Sequence, residues 1–252
     1  MFNYKASFKG AFFCEVFMDS IKLQNINKPL MIAHRGLSGI KLENTKEAFK
    51  LASEHSYYGI ETDVHVTKDN KFIVCHDDNL LRTSGVDMVI EHSLYDDLRK
   101  IKLYNGECLP NLEEYLEICK IGGKIAVLEL KNSMSRENII QCLNIIESLD
   151  YTNGTIIISF DPHNIATVNE LSSIKTQFLC NLNNMLEQYM AIYFAKHQKC
   201  DVDVNYRNCT KFFIDECHKA GVKVNVYTVD SVEDAIKMID LGVDFITTNI
   251  LE

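Results

Sequence analysis

The fold that the sequence predicts is an α/β barrel of eight parallel strands, and three observations carry it. Apolar runs of strand length alternate with helical stretches along nearly all of the 252 residues, the pattern of a parallel sheet with helical crossovers. One of the runs cannot be parallel, and setting it aside leaves the number that closes a barrel. Several runs also stop at charged residues, as strands do when their tips deliver polar groups to one end of such a barrel.

The elements follow in order. Residues 30–34 form the first run and lead into His34-Arg35-Gly36. A helix is expected over 45–56, with Asn44 as its cap and Glu47 three residues on. The run 58–66 carries Glu61 and Asp63, two apart and therefore on one face of a strand. Only residues 67–71 separate it from the run 72–76, too short a link for a helical crossover. That run must return as a hairpin, with Asp69-Asn70 in the turn. Residues 78–110 hold no convincing strand, only a helical piece near 94–101, and form an insertion after the hairpin that would shape substrate access. Strands then recur at 125–130, 155–159, 176–180, 201–205, 223–229 and 243–247. Helices fall at 111–120, 135–149, 162–172, 184–197, 209–220 and 231–241. Ser231 caps the last helix, and Gly221 and Gly242 stand where a left-handed C-cap is wanted. An open doubly wound sheet fits the same alternation, but no glycine-rich phosphate loop follows the first run. Residues 29–252 are assigned to the barrel and 1–28 to an N-terminal extension packed on it.

A hydrophobic content of 46% with 24% charged residues describes a globular chain with a sizeable core. The net charge of −9 and the lack of any Lys/Arg cluster argue against a nucleic-acid partner. Nine scattered cysteines without a C-x-x-C pair argue for reduced thiols and a cytoplasmic location. The stretch 10–18, interrupted by Glu15, is a poor secretory segment, and no apolar run is long enough to span a membrane. The sequence leaves the oligomeric state open.

The chemistry is expected at the strand ends. Glu61 and Asp63 are matched by Glu129, which shares a strand face with Lys131. Three carboxylates with waters suit Mg²⁺ or Ca²⁺ rather than a thiolate-seeking metal. His34 and His76, at corresponding ends, carry the side-chain type suited to proton transfer near neutral pH. His65 competes for such a role but should lie beyond the strand tip, towards the hairpin turn. Arg35 and Lys131 add the positive charge that a tetrahedral phosphate needs, which favours phosphoryl chemistry over acyl transfer.

These segments resemble the glycerophosphodiester phosphodiesterase family. AHRG at 33–36, ENT at 43–45, GIETDV at 59–64, VCHDDNLLRT at 74–83, LPNLEEYL at 109–116, LELK at 128–131, SF at 159–160, VNVYTVD at 224–230 and GVDFITTN at 242–249 match its motifs in order. The resemblance implies a TIM-type (β/α)8 barrel with a small insertion and hydrolysis of a small glycerophosphodiester to glycerol 3-phosphate and an alcohol. It implies Glu61, Asp63 and Glu129 as ligands of a divalent metal, Arg35 and Lys131 on the phosphate, and His34 and His76 as the acid/base pair. Glu43 and Asn44 would support the metal site, and Phe160 and Tyr227 would line the glycerol side. Tyr227 departs from the family's usual Trp, and residues 82–86 shorten a turn. Two rival readings remain. One is a related barrel phosphodiesterase acting on lysophospholipids, for which Leu80, Leu81, Val86, Met88 and Val89 offer an apolar rim. The other is a catalytically silent binding protein.

Overall fold

The computed structural model describes residues 19–24 and 28–252. The expected packed extension therefore lies largely outside the described residues. Of it, Ile21 bridges to Leu251, and Leu23 is buried.

Nine strands form one sheet: β1 (Leu30–Ala33), β2 (Gly59–Val66), β3 (Phe72–Val74), β4 (Ile125–Leu130), β5 (Thr155–Ser159), β6 (Lys175–Cys180), β7 (Asp201–Asn205), β8 (Val224–Tyr227) and β9 (Phe245–Thr248). The order β1-β9-β8-β7-β6-β5-β4-β2, with β1 also paired to β2, closes eight parallel strands into the barrel. β3 stays outside it, antiparallel to the end of β2, with Val66 opposite Phe72. The hairpin turn holds Asn70 at φ 57°, a left-handed conformation that Asn tolerates better than most residues.

The helices are α1 (Lys46–Glu54), α2 (Leu81–Ser84), α3 (Tyr95–Leu98), α4 (Leu112–Ile121), α5 (Arg136–Ser148), α6 (Pro162–Leu171), α7 (Met185–Gln198), α8 (Lys211–Lys219) and α9 (Val232–Leu241). The expected caps hold at Ser231, whose side chain accepts from Asp234 N, and at Gly242, with φ 89°. α1 differs: Thr45, not Asn44, is its cap, accepting from Ala48 N. Asn44 is instead buried, with its backbone left-handed at φ 55°. Gly36 is required where the β1 tip crosses α1, since a Cβ there would stand 2.7 Å from the Ala48 backbone at φ 78°.

Strand alternation divides the core in two. Inward residues Ile32, Val127, Ile156, Ile158, Leu179 and Phe245 fill the barrel. Outward residues such as Ala126, Leu128 and Val204 pack with Phe49, Tyr115 and Phe213 of the helical layer. The Tyr115 hydroxyl donates to the Ile60 carbonyl at 2.6 Å, tying α4 to β2. Residues 78–110 hold a small core of their own around Leu80, Ile90, Leu98 and Leu103, with Met88 against it. Two members of the apolar rim expected on this insertion are thus spent on its own packing. No described helix is long and apolar enough to cross a membrane.

Candidate active site

The barrel interior is apolar low down and turns polar at the C-terminal tips. On β4, Val127 faces inward, and Glu129, the next inward position, is charged; Glu129 pairs in register with Asp63 of β2. Carboxylate oxygens of Glu61, Asp63 and Glu129 lie within 4.8 Å of one another, and all three residues are buried.

Cations and amides hold this cluster. The Arg35 backbone N–H donates to Glu61 Oε2 at 2.8 Å, while its Nη1 donates to Glu43 at 2.9 Å. Arg35 Nε stands 3.5 Å from Asp63 and has no hydrogen-bond partner among the described residues. Lys131 Nζ lies 2.9 Å from Glu129 and 3.5 Å from Asp63. Asn44 donates to Asp63 at 2.9 Å and accepts from Thr62, so it gives up the expected helix cap and stands in the supporting place beside the carboxylates that the family resemblance implies.

Burial sets the protonation of the three acids. It pushes Glu61 well above the ordinary carboxylate range, and neighbouring Asp63 adds to the shift. It pushes Glu129 up to about 7, again helped by Asp63. At Asp63 burial acts in the same sense, but Lys131 and Arg35 outweigh it and hold the carboxyl low. A set of buried oxygens whose mutual repulsion two cations leave partly unrelieved fits a hard divalent cation.

Two histidines flank the cluster. His34 Nδ1 donates to Asn249 Oδ1 at 2.8 Å, while its Nε2 stands 4.0 Å from Glu61. The amide of Asn249 is oriented by Asp230, which accepts from Nδ2 at 2.7 Å and from the backbone N–H at 2.7 Å. Burial, with Arg35 beside it, lowers the His34 pKa, so the ring is neutral at pH 7 with its lone pair on Nε2. His76 follows β3, and its Nδ1 contacts Asp77 Oδ1 at 2.6 Å. Arg82 fixes that carboxylate through Nε at 2.6 Å and binds both oxygens of Glu43 at 2.8 and 2.7 Å. His65 is not beyond the strand tip. It lies within β2, fully buried, with Nε2 3.3 Å from the His76 carbonyl, where it supports the backbone that presents His76.

Every charged residue expected at the site converges here. Asp77, Arg82, Asp230 and Asn249 were not singled out by the sequence reading, although all four stand in or beside its motifs. A cavity of about 450 Å³ opens over the cluster. Its far wall is Ile158, Leu179, Phe160 and Tyr227, the last two edge-to-face at 6.4 Å.

A model of the glycerophosphoryl diester phosphodiesterase family matches residues 34–252. A glycerophosphodiester phosphodiesterase of Caldanaerobacter subterraneus subsp. tengcongensis is 30% identical over 88% of this chain and 94% of its own. The crystal structure of a glycerophosphodiester phosphodiesterase from Parabacteroides distasonis superimposes with a TM-score of 0.77 at 29% identity, covering 88% of this chain and 94% of that one. An Oleispira antarctica phosphodiesterase, solved with the product sn-glycerol-3-phosphate, shares the fold with a TM-score of 0.80 at 24% identity, covering 88% and 93%.

Proposed function

This chain belongs to the glycerophosphoryl diester phosphodiesterase family, and from that premise we propose that it hydrolyses a glycerophosphodiester to sn-glycerol 3-phosphate and an alcohol. The observation that carries the reading is the three-carboxylate cluster with a histidine on each flank and two cations beside it.

A Mg²⁺ or Ca²⁺ ion held by Glu61, Asp63 and Glu129 supplies charge neutralisation at the phosphate when bound. The chain's own groups do the rest. Arg35 and Lys131 face the cavity and hold the non-bridging oxygens as charge builds on them. His34, neutral and with Nε2 free, takes the proton of the attacking hydroxyl. His76 gives a proton to the departing alcohol oxygen as its bond to phosphorus breaks. Glu43 and Arg82 keep Arg35 and Asp77 in place, and Phe160 and Tyr227 cover the carbon skeleton. The scattered cysteines, with no C-x-x-C pair, suit a reducing compartment such as the cytoplasm.

Release of glycerol 3-phosphate from glycerophosphocholine, glycerophosphoethanolamine and glycerophosphoglycerol, with Mg²⁺, with Ca²⁺ and with EDTA, tests the reading. Metal-dependent release is expected, and no release by folded protein under either metal would overturn it. Turnover of a 2-deoxy glycerol analogue would show that water, not the glycerol 2-hydroxyl, attacks phosphorus.

A further inference from the structure

One residue breaks the pattern of the apolar wall. Ile158 of β5 and Leu179 of β6 face the cavity as hydrocarbon, whereas Asp203 of β7, the register partner of Leu179, faces it as an acid. Asp203 lies outside every motif that carries the family resemblance. It is 2% exposed, and its Oδ1 has no hydrogen-bond partner among the described residues.

The polar groups of the adjoining strands do not supply one. Thr247 Oγ1 donates to Asn225 Oδ1 at 3.2 Å, and Asn225 Nδ2 donates to Gln177 Oε1 at 3.1 Å. Asn225 is the register partner of Asp203 on β8, yet both ends of its amide are engaged in this chain. The chain ends on Gln177 Nε2, which is buried and likewise without a partner among the described residues. An acceptor on β7 and a donor on β6 are thus left over on neighbouring strands. Burying an unmatched polar group destabilises a fold. Val, Ile or Leu would fill a strand position beside such neighbours without that penalty, so the acid is retained for something it binds. A hydroxyl, which donates and accepts at once, is the group that suits such a leftover pair.

We propose that Asp203 determines specificity by accepting a hydrogen bond from the terminal hydroxyl of the substrate's glycerol moiety. The proposal deepens the phosphodiesterase reading above and rests on it. Two observations select this ligand atom. Phe160 and Tyr227, which would cover the glycerol, line the same half of the cavity as Asp203. With the phosphate at the carboxylate cluster, the terminal hydroxyl is the polar end that reaches their wall. An ammonium head group is the other donor that an acid attracts, but Arg35, Lys131 and Arg207 line the same cavity and repel it.

The test compares sn-glycero-3-phosphocholine with its 1-deoxy analogue, which keeps the 2-hydroxyl and the head group, on wild type and on Asp203→Val. Wild type should turn over the analogue with kcat/KM about ten- to a hundredfold lower. On Asp203→Val the two substrates should come within about threefold of each other. Asp203→Ala repeats that arm with a smaller side chain, in case valine crowds the barrel. Discrimination of less than about twofold by wild type would overturn the proposal without any variant. A lower melting temperature with the substrate ratio intact would make Asp203 structural and overturn it equally. So would a loss confined to glycerophosphoglycerol, which would assign Asp203 to the departing alcohol. If neither ester is hydrolysed, the phosphodiesterase reading fails, and calorimetric titration of Mg²⁺-loaded protein with sn-glycerol 3-phosphate and with propane-1,2-diol 1-phosphate still decides Asp203. Preference for the former that Asp203→Val abolishes is the expected result, and equal binding or none would overturn the proposal.

Discussion

The two sides of the barrel mouth are built to opposite rules. The tips of β9, β1, β2 and β4 carry His34, Arg35, Glu61, Asp63, Glu129, Lys131 and Asn249, nearly all tied to one another by hydrogen bonds or ion pairs. The tips of β5 to β8 present Ile158, Phe160, Leu179 and Tyr227. Asp203 of β7 is the acid on that side, with one oxygen unpartnered among the described residues, and burial pushes its pKa well above the ordinary carboxylate range. Arg207, in the turn after β7, also lines the cavity, so charge is concentrated on one half rather than confined to it. On the proposed reading, a diester lying across the mouth would set its phosphorus over the ionic half and its carbon groups over the other, so that reaction and selection would fall to different strands.

If that division holds, damage to the ionic half should cost every substrate equally. Glu61→Gln removes a carboxylate that no neighbour can replace, and kcat/KM should fall about a thousandfold for all three glycerophosphodiesters alike. Unequal losses across a substrate panel would break the division. Next in size, His34→Ala and His76→Ala should each lower kcat at least about a hundredfold with KM nearly unchanged, measured at saturating metal. Smaller again is Asn249→Asp, which sets a carboxylate against Asp230 and should cost about tenfold or more in kcat. Asn249→Asp combined with Asp230→Asn restores a donor facing an acceptor at the pair and still offers His34 Nδ1 an acceptor. Recovery of most of the kcat in the double variant is the expected outcome.

The ionic half was legible in the sequence because charge at the end of an apolar run is conspicuous, and spacing two fixes the face. Glu61, Asp63, Glu129 and Lys131 are where the strand pattern puts them. Eight parallel strands and the outlying hairpin followed from run lengths alone. Asn249 and Asp230 were hidden because both stand in loops beyond strand ends, where a short polar residue is ordinary, and they meet His34 only across the closure of the barrel. For Asn44 local pattern suggested a helix cap and the resemblance a support of the metal site; tertiary contact with Asp63 overrode the cap preference. On the apolar half Phe160 and Tyr227 came from the resemblance alone, and the rest was illegible for a different reason. Leu179 and Met190 read as core in any helix or strand, and only the packed barrel leaves them facing an opening. The lipid rim expected on the insertion arose from the same ambiguity, since Leu80 is in fact core there.

The titration of the cluster sharpens the ionic side further. Burial, with Asp63 adjacent, raises Glu129 to about 7, and a metal needs its carboxylate form. Metal affinity, followed by calorimetric titration, should therefore fall at least about tenfold per pH unit below 7, with Glu61, raised as well, adding to the slope. In metal-free protein the raised pKa has the opposite sense. The folded state binds more protons than the unfolded one between the ordinary carboxylate range and pH 7, so stability drops as pH rises through that window. Glu129→Gln should make both profiles shallower, Glu61 keeping the remainder.

The smallest expected effect tests the apolar side most directly. Phe160 is half exposed and touches Tyr227 edge-on across the cavity wall. Its ring can hold a substrate's carbon skeleton, but it can neither move a proton nor neutralise charge. Phe160→Ala should therefore raise KM for glycerophosphocholine about three- to tenfold, the worth of one aromatic contact, and leave kcat within about twofold. The split between the two constants is the informative quantity. A kcat loss as deep as that of the histidine variants would mean that the ring positions the reacting atoms, and the separation of the two halves would fail at the residue where they meet.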